Sequence, residues 1–279
     1  MIILACSATG GHVYPAIAVK EYLNSHSYNT CFVIDSGRIS EDILRSYGYR
    51  YFGLNFRRNK FVALTLNFFR MIGFFYKQKP TLVLGFGGIT SFPVVLVAEL
   101  FRVKVILFEQ NAVIGRTNRL LSRFVDQLWL SYNTRNVSKC RQERLLGNPV
   151  RHTFNTSKVD KAIFSLPYKI GKTCLIFGGS QGALHLNGFI AASYDWFAAQ
   201  NIQLIHVLGD RDYRKKYQEG DYQVVKNDQG EVIRVEARFI NDMKQAYLWA
   251  DRVISRAGGT TIAELIHFQK TALLIPYSF

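Results

Sequence analysis

A chain of 279 residues with 48% apolar and 20% charged residues has the make-up of a globular protein, and its length is that of two domains. That composition excludes disordered, collagen-like and coiled-coil classes. The net charge of +15 is uneven: residues 1–150 hold 19 Lys and Arg against 8 Asp and Glu, whereas residues 151–279 hold 16 against 12. The basic half predicts a polyanionic partner, and charge alone leaves open nucleic acid, an anionic membrane surface or a phosphate-rich substrate.

The opening apolar run lacks a basic leader and meets glycines within a few residues, so it reads as a first strand rather than a signal peptide. Short apolar runs then alternate with helix-length amphipathic segments, which is the pattern of parallel α/β architecture. Strands are predicted over 2–6, 30–34, 82–84, 104–108 and 127–130, then over 173–177, 203–207, 231–235, 252–255 and 272–275. The greasy stretch 61–76 is interrupted by Asn67 and Arg70 and falls short of the roughly 20 residues of a membrane-spanning helix. Between Leu146 and Lys172, Gly147-Asn148-Pro149 breaks the periodicity. A boundary there gives one Rossmann-like domain over 1–150 and another over 151–279. Cys6, Cys31, Cys140 and Cys174 are far apart and form no C-x-x-C pair, which predicts a reducing compartment rather than disulfides or a zinc knuckle.

Four strands run into glycine turns that open helices: Ser7 to His12, Gly85 to Ser91, Gly178 to Ala183 and Arg256 to Thr261. Pro15 is expected near the first turn of the helix after the first of these turns, and Pro93 likewise after the second, where a missing N–H does no harm. A helix start carries unpaired N–H groups and partial positive charge, and glycine lets a phosphate approach that backbone. Four such turns predict anionic groups in both domains with a cleft between them, although a glycine turn also serves simply to join strand to helix. The first turn is not G-x-G-x-x-G, so Asp35 near the ribose-binding position is a weak sign of a dinucleotide. P-loop and H-E-x-x-H patterns are absent from the sequence.

Taken together, Thr9-Gly10-Gly11-His12, Gly85-Phe86-Gly87-Gly88, Glu109-Gln110-Asn111-Ala112 with Thr117-Asn118-Arg119, Gly147-Asn148-Pro149-Val150-Arg151, Gly178-Gly179-Ser180-Gln181-Gly182-Ala183 and Ser255-Arg256-Ala257-Gly258 through Glu264 closely resemble the MurG family. The resemblance implies a GT-B fold of two Rossmann-like domains facing a cleft, with the second incomplete at its C-terminus. It also implies inverting transfer of GlcNAc from UDP-GlcNAc to the MurNAc 4-hydroxyl of undecaprenyl-pyrophosphoryl-MurNAc-pentapeptide (lipid I to lipid II) in peptidoglycan synthesis. No cofactor and no catalytic metal are expected, because helix N-termini would stabilise the departing diphosphate.

By that resemblance His12 is a candidate general base, chemically suited by an imidazole that titrates near neutrality; the other reading is a phosphate hydrogen bond or a helix cap. Asn111 would lie near the reaction centre, or else close its strand in an Asx-turn. Ser180, Gln181 and Gly182 would hold the donor diphosphate, and a serine before a helix is also an N-cap. Glu264 would bind the ribose, against a capping box over 261–264. Gly259, Thr260 and Thr261 share that donor site, Ile240 would read the uracil through its backbone, and Arg151 matches another donor-site residue. Thr9, Gly10 and Gly11, with Gly87, Gly88 and Ile89, would serve the acceptor diphosphate, the first turn also reaching the donor.

Residues 56–79 hold seven aromatics and six basic residues with no acidic one. Phe68, Phe69, Ile72 and Phe75 are read as a patch for an anionic membrane surface, against a helix simply packed on its sheet. The resemblance implies that such a patch docks on the cytoplasmic leaflet, hence peripheral attachment to the cytoplasmic face of the plasma membrane, and no nucleic-acid recognition module is found. Family members continue past the strand ending at Ile275 with a segment that contacts the donor sugar, so weak or absent transfer is expected of this chain. The alternatives are a homologue that binds membrane or lipid I without turnover, or another GT-B sugar-nucleotide enzyme.

Overall fold

A computed structural model describes residues 1–7, 10–37, 39–56, 59–134, 140–151, 172–179, 182–217, 219–240 and 242–276, apart from the Lys60 side chain. The chain divides into two compact units, Met1–Asn155 and Thr156–Phe279. Arg151 therefore falls in the first unit, not the second.

The first unit runs β1 (Ile2–Ala5), α1 (Gly10–Ser25), β2 (Thr30–Asp35), α2 (Ile39–Ser46), β3 (Tyr51–Leu54), α3 (Lys60–Gln78), β4 (Leu82–Gly85), α4 (Ser91–Leu100), β5 (Lys104–Glu109), α5 (Arg116–Leu121), β6 (Gln127–Leu130) and β7 (Glu143–Leu145). Its strands form one parallel sheet in the order β3-β2-β1-β4-β5-β6-β7. Both faces are covered, so the central strands are apolar on alternate sides without a polar face. Ile3 and Ala5 pack with Met71 and Phe75 of α3 and Val94 and Ala98 of α4. Ile2 and Leu4 face the opposite layer, with Val13 and Ile17 of α1 and Leu44 of α2.

The second unit runs β8 (Lys172–Phe177), α6 (Leu184–Ala192), α7 (Tyr194–Ala199), β9 (Ile202–Val207), α8 (Asp210–Lys216), β10 (Tyr222–Lys226), β11 (Val232–Ala237), α9 (Met243–Trp249), β12 (Arg252–Arg256), α10 (Gly259–His267) and β13 (Thr271–Ile275). The strand order is β10-β11-β9-β8-β12-β13, with only β10 antiparallel among the described strands. Leu175 and Phe177 face α9 and α10 through Tyr247 and Leu265. Cys174 and Ile176 face α6 and α7 through Leu186, Ile190 and Phe197.

All ten predicted strands form, and β3, β7 and β10 are added to them. Pro93 stands in the first turn of α4 as expected, but Pro15 is the sixth residue of α1, one turn further in. The face expected of α3 is corrected. Phe75 is only 1% exposed and belongs to the core, and Phe68 and Ile72 pack against that core. Helical geometry puts Ala63, Asn67, Met71 and Phe75 on one buried line. Asn67 is held there because its Nδ2 donates to the Asn55 carbonyl (2.8 Å) and its Oδ1 accepts from the Asn55 N–H (3.3 Å). The outward face carries Phe61, Val62, Leu66, Phe69 and Tyr76, with Phe69 64% and Tyr76 77% exposed. No helix among the described residues is long and apolar enough to cross a membrane.

Candidate active site

In the first unit β1 and β4 are neighbours whose successors run to opposite sides of the sheet. The carboxyl ends of such strands flank the crevice where open α/β sheets bind ligands. The Ser7 and Thr90 hydroxyls join the two turns there at 3.2 Å. Gly87 and Gly88 have φ of +88° and +76°, backbone that favours glycine, and a Cβ on Gly88 would overlap the Ser7 side chain. A Cβ on Gly87 would lie 3.5 Å from His12 Nε2 and 3.3 Å from Asn118 Nδ2, which measures how closely these groups surround the turn. Gly10, Gly11 and His12 are the first three residues of α1, so the imidazole stands at the positive end of that helix.

Beside them lies a buried carboxylate at the end of β5. Glu109 Oε1 accepts from the Asn111 N–H (3.1 Å) and Asn111 Nδ2 (3.2 Å). Its Oε2 accepts from the Gly115 N–H and from Asn118 Nδ2, both at 2.9 Å. Four donors on one carboxylate shape the loop 110–115 and aim Asn111, which is itself exposed. Gln110 ties the same loop to β4 by donating to the Phe86 carbonyl at 3.1 Å. His12 is partly exposed at its edge yet densely surrounded; burial lowers its pKa from the ordinary value, and the Glu109 charge acts in the opposite direction. The imidazole is therefore neutral near pH 7 and able to take a proton. Glu109 and Asn118 carried only family resemblance in the sequence. Their physical signal was a carboxylate closing an otherwise apolar strand.

In the second unit the corresponding neighbours are β8 and β12, whose turns open α6 and α10. Gly179 and Gly182 have φ of +96° and +81°, and a Cβ on Gly182 would overlap the Leu208 carbonyl oxygen. Helix α10 begins at Gly259 with Gly258 as N-cap, so Gly259, Thr260 and Thr261 form its first turn. Thr261 is not the cap, and no capping box spans 261–264. Glu264 is instead buried in the second turn, where Tyr247 donates its hydroxyl to Oε2 at 2.9 Å. Ile240 is buried with Tyr247 and Leu265.

The first unit thus brings His12 to the Gly87-Gly88 turn beside the Glu109–Asn111 loop; in the second, Gly259, Thr260 and Thr261 share α10 with Glu264, while Gly182 lies against Leu208 and Asp212. Arg151 follows the Gly147-Asn148-Pro149 break. It is buried in the first unit, its guanidinium 4.6 Å from the Tyr14 ring centre and 3.2 Å from the Tyr47 hydroxyl. Thr9, Ser180 and Gln181 lie outside the described residues.

Two Rossmann-type units, each with glycine turns at its switch point, make this a GT-B glycosyltransferase fold. The N-terminal domain model of glycosyltransferase family 28 matches residues 2–129, and the C-terminal domain model matches residues 173–279. A relative from Halothermothrix orenii, named UDP-N-acetylglucosamine--N-acetylmuramyl-(pentapeptide) pyrophosphoryl-undecaprenol N-acetylglucosamine transferase, is 32% identical across the whole chain, which spans 79% of its length. One of the same name from Nitratidesulfovibrio vulgaris strain Hildenborough is 34% identical, with 100% of this chain and 77% of the relative covered. Among solved structures, Acinetobacter baumannii MurG superposes with a TM-score of 0.69 at 23% identity, covering all of this chain and 79% of that one. A UDP-GlcNAc 2-epimerase from Neisseria meningitidis shares the fold at a TM-score of 0.65 and 14% identity, over 98% of this chain and 81% of that one. The chain belongs to the MurG family of family 28 glycosyltransferases, and is a hexosyltransferase by that membership.

Proposed function

We propose that this chain transfers GlcNAc from UDP-GlcNAc to the MurNAc 4-hydroxyl of lipid I, with inversion, in peptidoglycan synthesis. The carrying observation is the joining of His12, the Gly87-Gly88 turn and the Glu109–Asn111 loop at one switch point, in a chain 32–34% identical to transferases of that name. The acceptor hydroxyl oxygen attacks the sugar C1, its proton passes to His12, and the C1–O bond breaks with UDP leaving as the anion. Gly87, Gly88 and Ile89, with Thr9, Gly10 and Gly11, take the acceptor diphosphate. The donor diphosphate rests on Ser180, Gln181 and Gly182. Glu264 takes the ribose hydroxyls, Gly259, Thr260 and Thr261 line the same site, and the Ile240 backbone reads the uracil. Arg151, seated on Tyr14, stays a proposed donor-site residue.

The outward face of α3 gives this enzyme its place. Phe61, Phe69 and Tyr76, with Arg70, Lys77 and Lys79 alongside, suit an interface rich in anionic lipid on the cytoplasmic side of the plasma membrane. The direct test is transfer from radiolabelled UDP-GlcNAc to lipid I by the purified protein and by His12→Gln. Lipid II formed by the first and reduced at least about 100-fold in the second supports the reading. Equal rates reject His12 as the base, and labelled transfer to a different acceptor rejects the assignment.

A further inference from the structure

Beneath the second unit's glycine turn runs a chain of buried polar side chains in an otherwise apolar layer. Asn187 of α6 is its hub. Nδ2 donates to the Leu208 carbonyl at 2.8 Å and to Asp212 Oδ2 at 2.9 Å. Oδ1 meets His206 Nε2 at 3.1 Å, and the other ring nitrogen, Nδ1, meets the Tyr194 hydroxyl at 2.7 Å. Asn187, His206 and Tyr194 are all buried, His206 completely.

With burial keeping His206 neutral, donor and acceptor roles close along this chain in one way. Asn187 spends both amide hydrogens on oxygens, so its Oδ1 must accept, and His206 Nε2 must carry the proton. Nδ1 is then the lone-pair nitrogen and accepts from the Tyr194 O–H. A reversed amide would turn Oδ1 toward the Leu208 carbonyl and the Asp212 carboxylate, three oxygens facing one another without a hydrogen. The imidazole thus sets the orientation of the amide, and the tyrosine sets the tautomer of the imidazole.

The far end of the chain touches the glycine turn. The Leu208 oxygen held by Asn187 is the atom a Cβ on Gly182 would strike, and Asp212 Oδ2, the other atom held, would lie 3.4 Å from that Cβ. Gly182 in turn closes its own turn by donating to the Gly179 carbonyl at 3.0 Å. The β9–α8 connection is therefore the wall on which Gly182 rests, and Asn187 pins that wall from within α6.

We infer that Asn187, His206 and Tyr194 are positioning residues for diphosphate recognition, keeping the backbone of the turn at Gly182 in place through the Leu208–Asp212 wall. This rests on the reading that the Gly178-to-Ala183 turn holds the donor diphosphate. None of the three side chains need touch the nucleotide. Their action falls on the diphosphate alone, not on the uracil or ribose, which other elements of the unit would bind.

Calorimetric titration of the full chain with UDP and with UMP separates these effects. Wild type should bind UDP more tightly than UMP. Asn187→Asp and His206→Leu should cut that UDP-over-UMP preference about tenfold while leaving UMP affinity within about twofold. His206→Gln, whose amide can still donate to Asn187, should restore most of the preference. Tyr194→Phe, which removes one hydroxyl from the chain, should give an intermediate loss of about threefold. Should His206→Leu fail to fold, Asn187→Asp and Tyr194→Phe carry the comparison. An unchanged preference in the folded variants overturns the positioning role, and so does equal loss for UDP and UMP. Wild type binding UMP as tightly as UDP instead rejects the diphosphate reading of the turn itself.

Discussion

At the scale of single residues, two buried side chains do what surface groups could not. Glu109 takes four hydrogen bonds from Asn111, Gly115 and Asn118. Glu109→Gln would turn an NH₂ group toward one pair of those donors, and leaving buried donors unmatched costs about 1–3 kcal/mol each. We expect urea denaturation to show a loss of about 2–4 kcal/mol and the acceptor-side loop to lose its shape. The same substitution removes the charge that raises the His12 pKa. If His12 is the base, the acidic limb of the pH–kcat/KM profile should then move to lower pH. A limb that stays put or moves up would separate Glu109 from His12.

His206 provides the second residue-scale prediction. Burial pushes its pKa down to about 4, with Glu236 acting against that shift and Lys216 and Arg234 reinforcing it. An unfolded histidine binds its proton near pH 6.5 and the folded one only near 4. Between those values the unfolded state holds more protons, so stability falls as the pH falls through this window, by up to about 3 kcal/mol. Urea midpoints measured between pH 7 and pH 4.5 should drop more steeply for wild type than for His206→Gln; parallel curves would remove His206 from the linkage.

At the scale of elements, α3 illustrates how one helix divides its labour. Phe75→Ala empties a site filled by a fully buried ring and should cost about 3–5 kcal/mol. Phe69→Ser removes a ring that stands mostly in solvent and should alter stability by no more than about 0.5 kcal/mol. Sedimentation with anionic vesicles should reverse that order once stability is allowed for, weakening with Phe69→Ser. The glycine turn above α6 offers a parallel contrast. An alanine at Gly179 meets open space and bears only the strain of positive φ, about 1–2 kcal/mol, whereas an alanine at Gly182 also strikes the Leu208 carbonyl. Thermal denaturation should rank Gly182→Ala as the more damaging.

Across the whole molecule, the basic surplus of residues 1–150 belongs to the unit that carries the α3 face. Raising salt from about 0.05 to about 0.5 M shortens the Debye length below the spacing of surface charges and should release most of the vesicle-bound protein, leaving the residue held by the aromatic face. Release of none would leave the positive charge without a part in attachment.

Ten strands, the two-unit organisation and the glycine turns were all legible in the sequence, because a strand buried on both faces must be an apolar run and a tight strand-to-helix turn favours glycine. The three unforeseen strands lack that signature. Glu143–Leu145 is wholly exposed, Tyr222–Lys226 alternates at a sheet edge, and Tyr51–Leu54 is mostly half-buried and contains a glycine. What only the tertiary structure decided is which groups meet: Phe75 with the sheet, Arg151 with Tyr14, Glu109 with Asn118, and His206 with Asn187 and Tyr194. Local sequence sets backbone preference, but the burial and partners of a polar side chain depend on what other strands and helices bring beside it, and that is set by packing at long sequence separation.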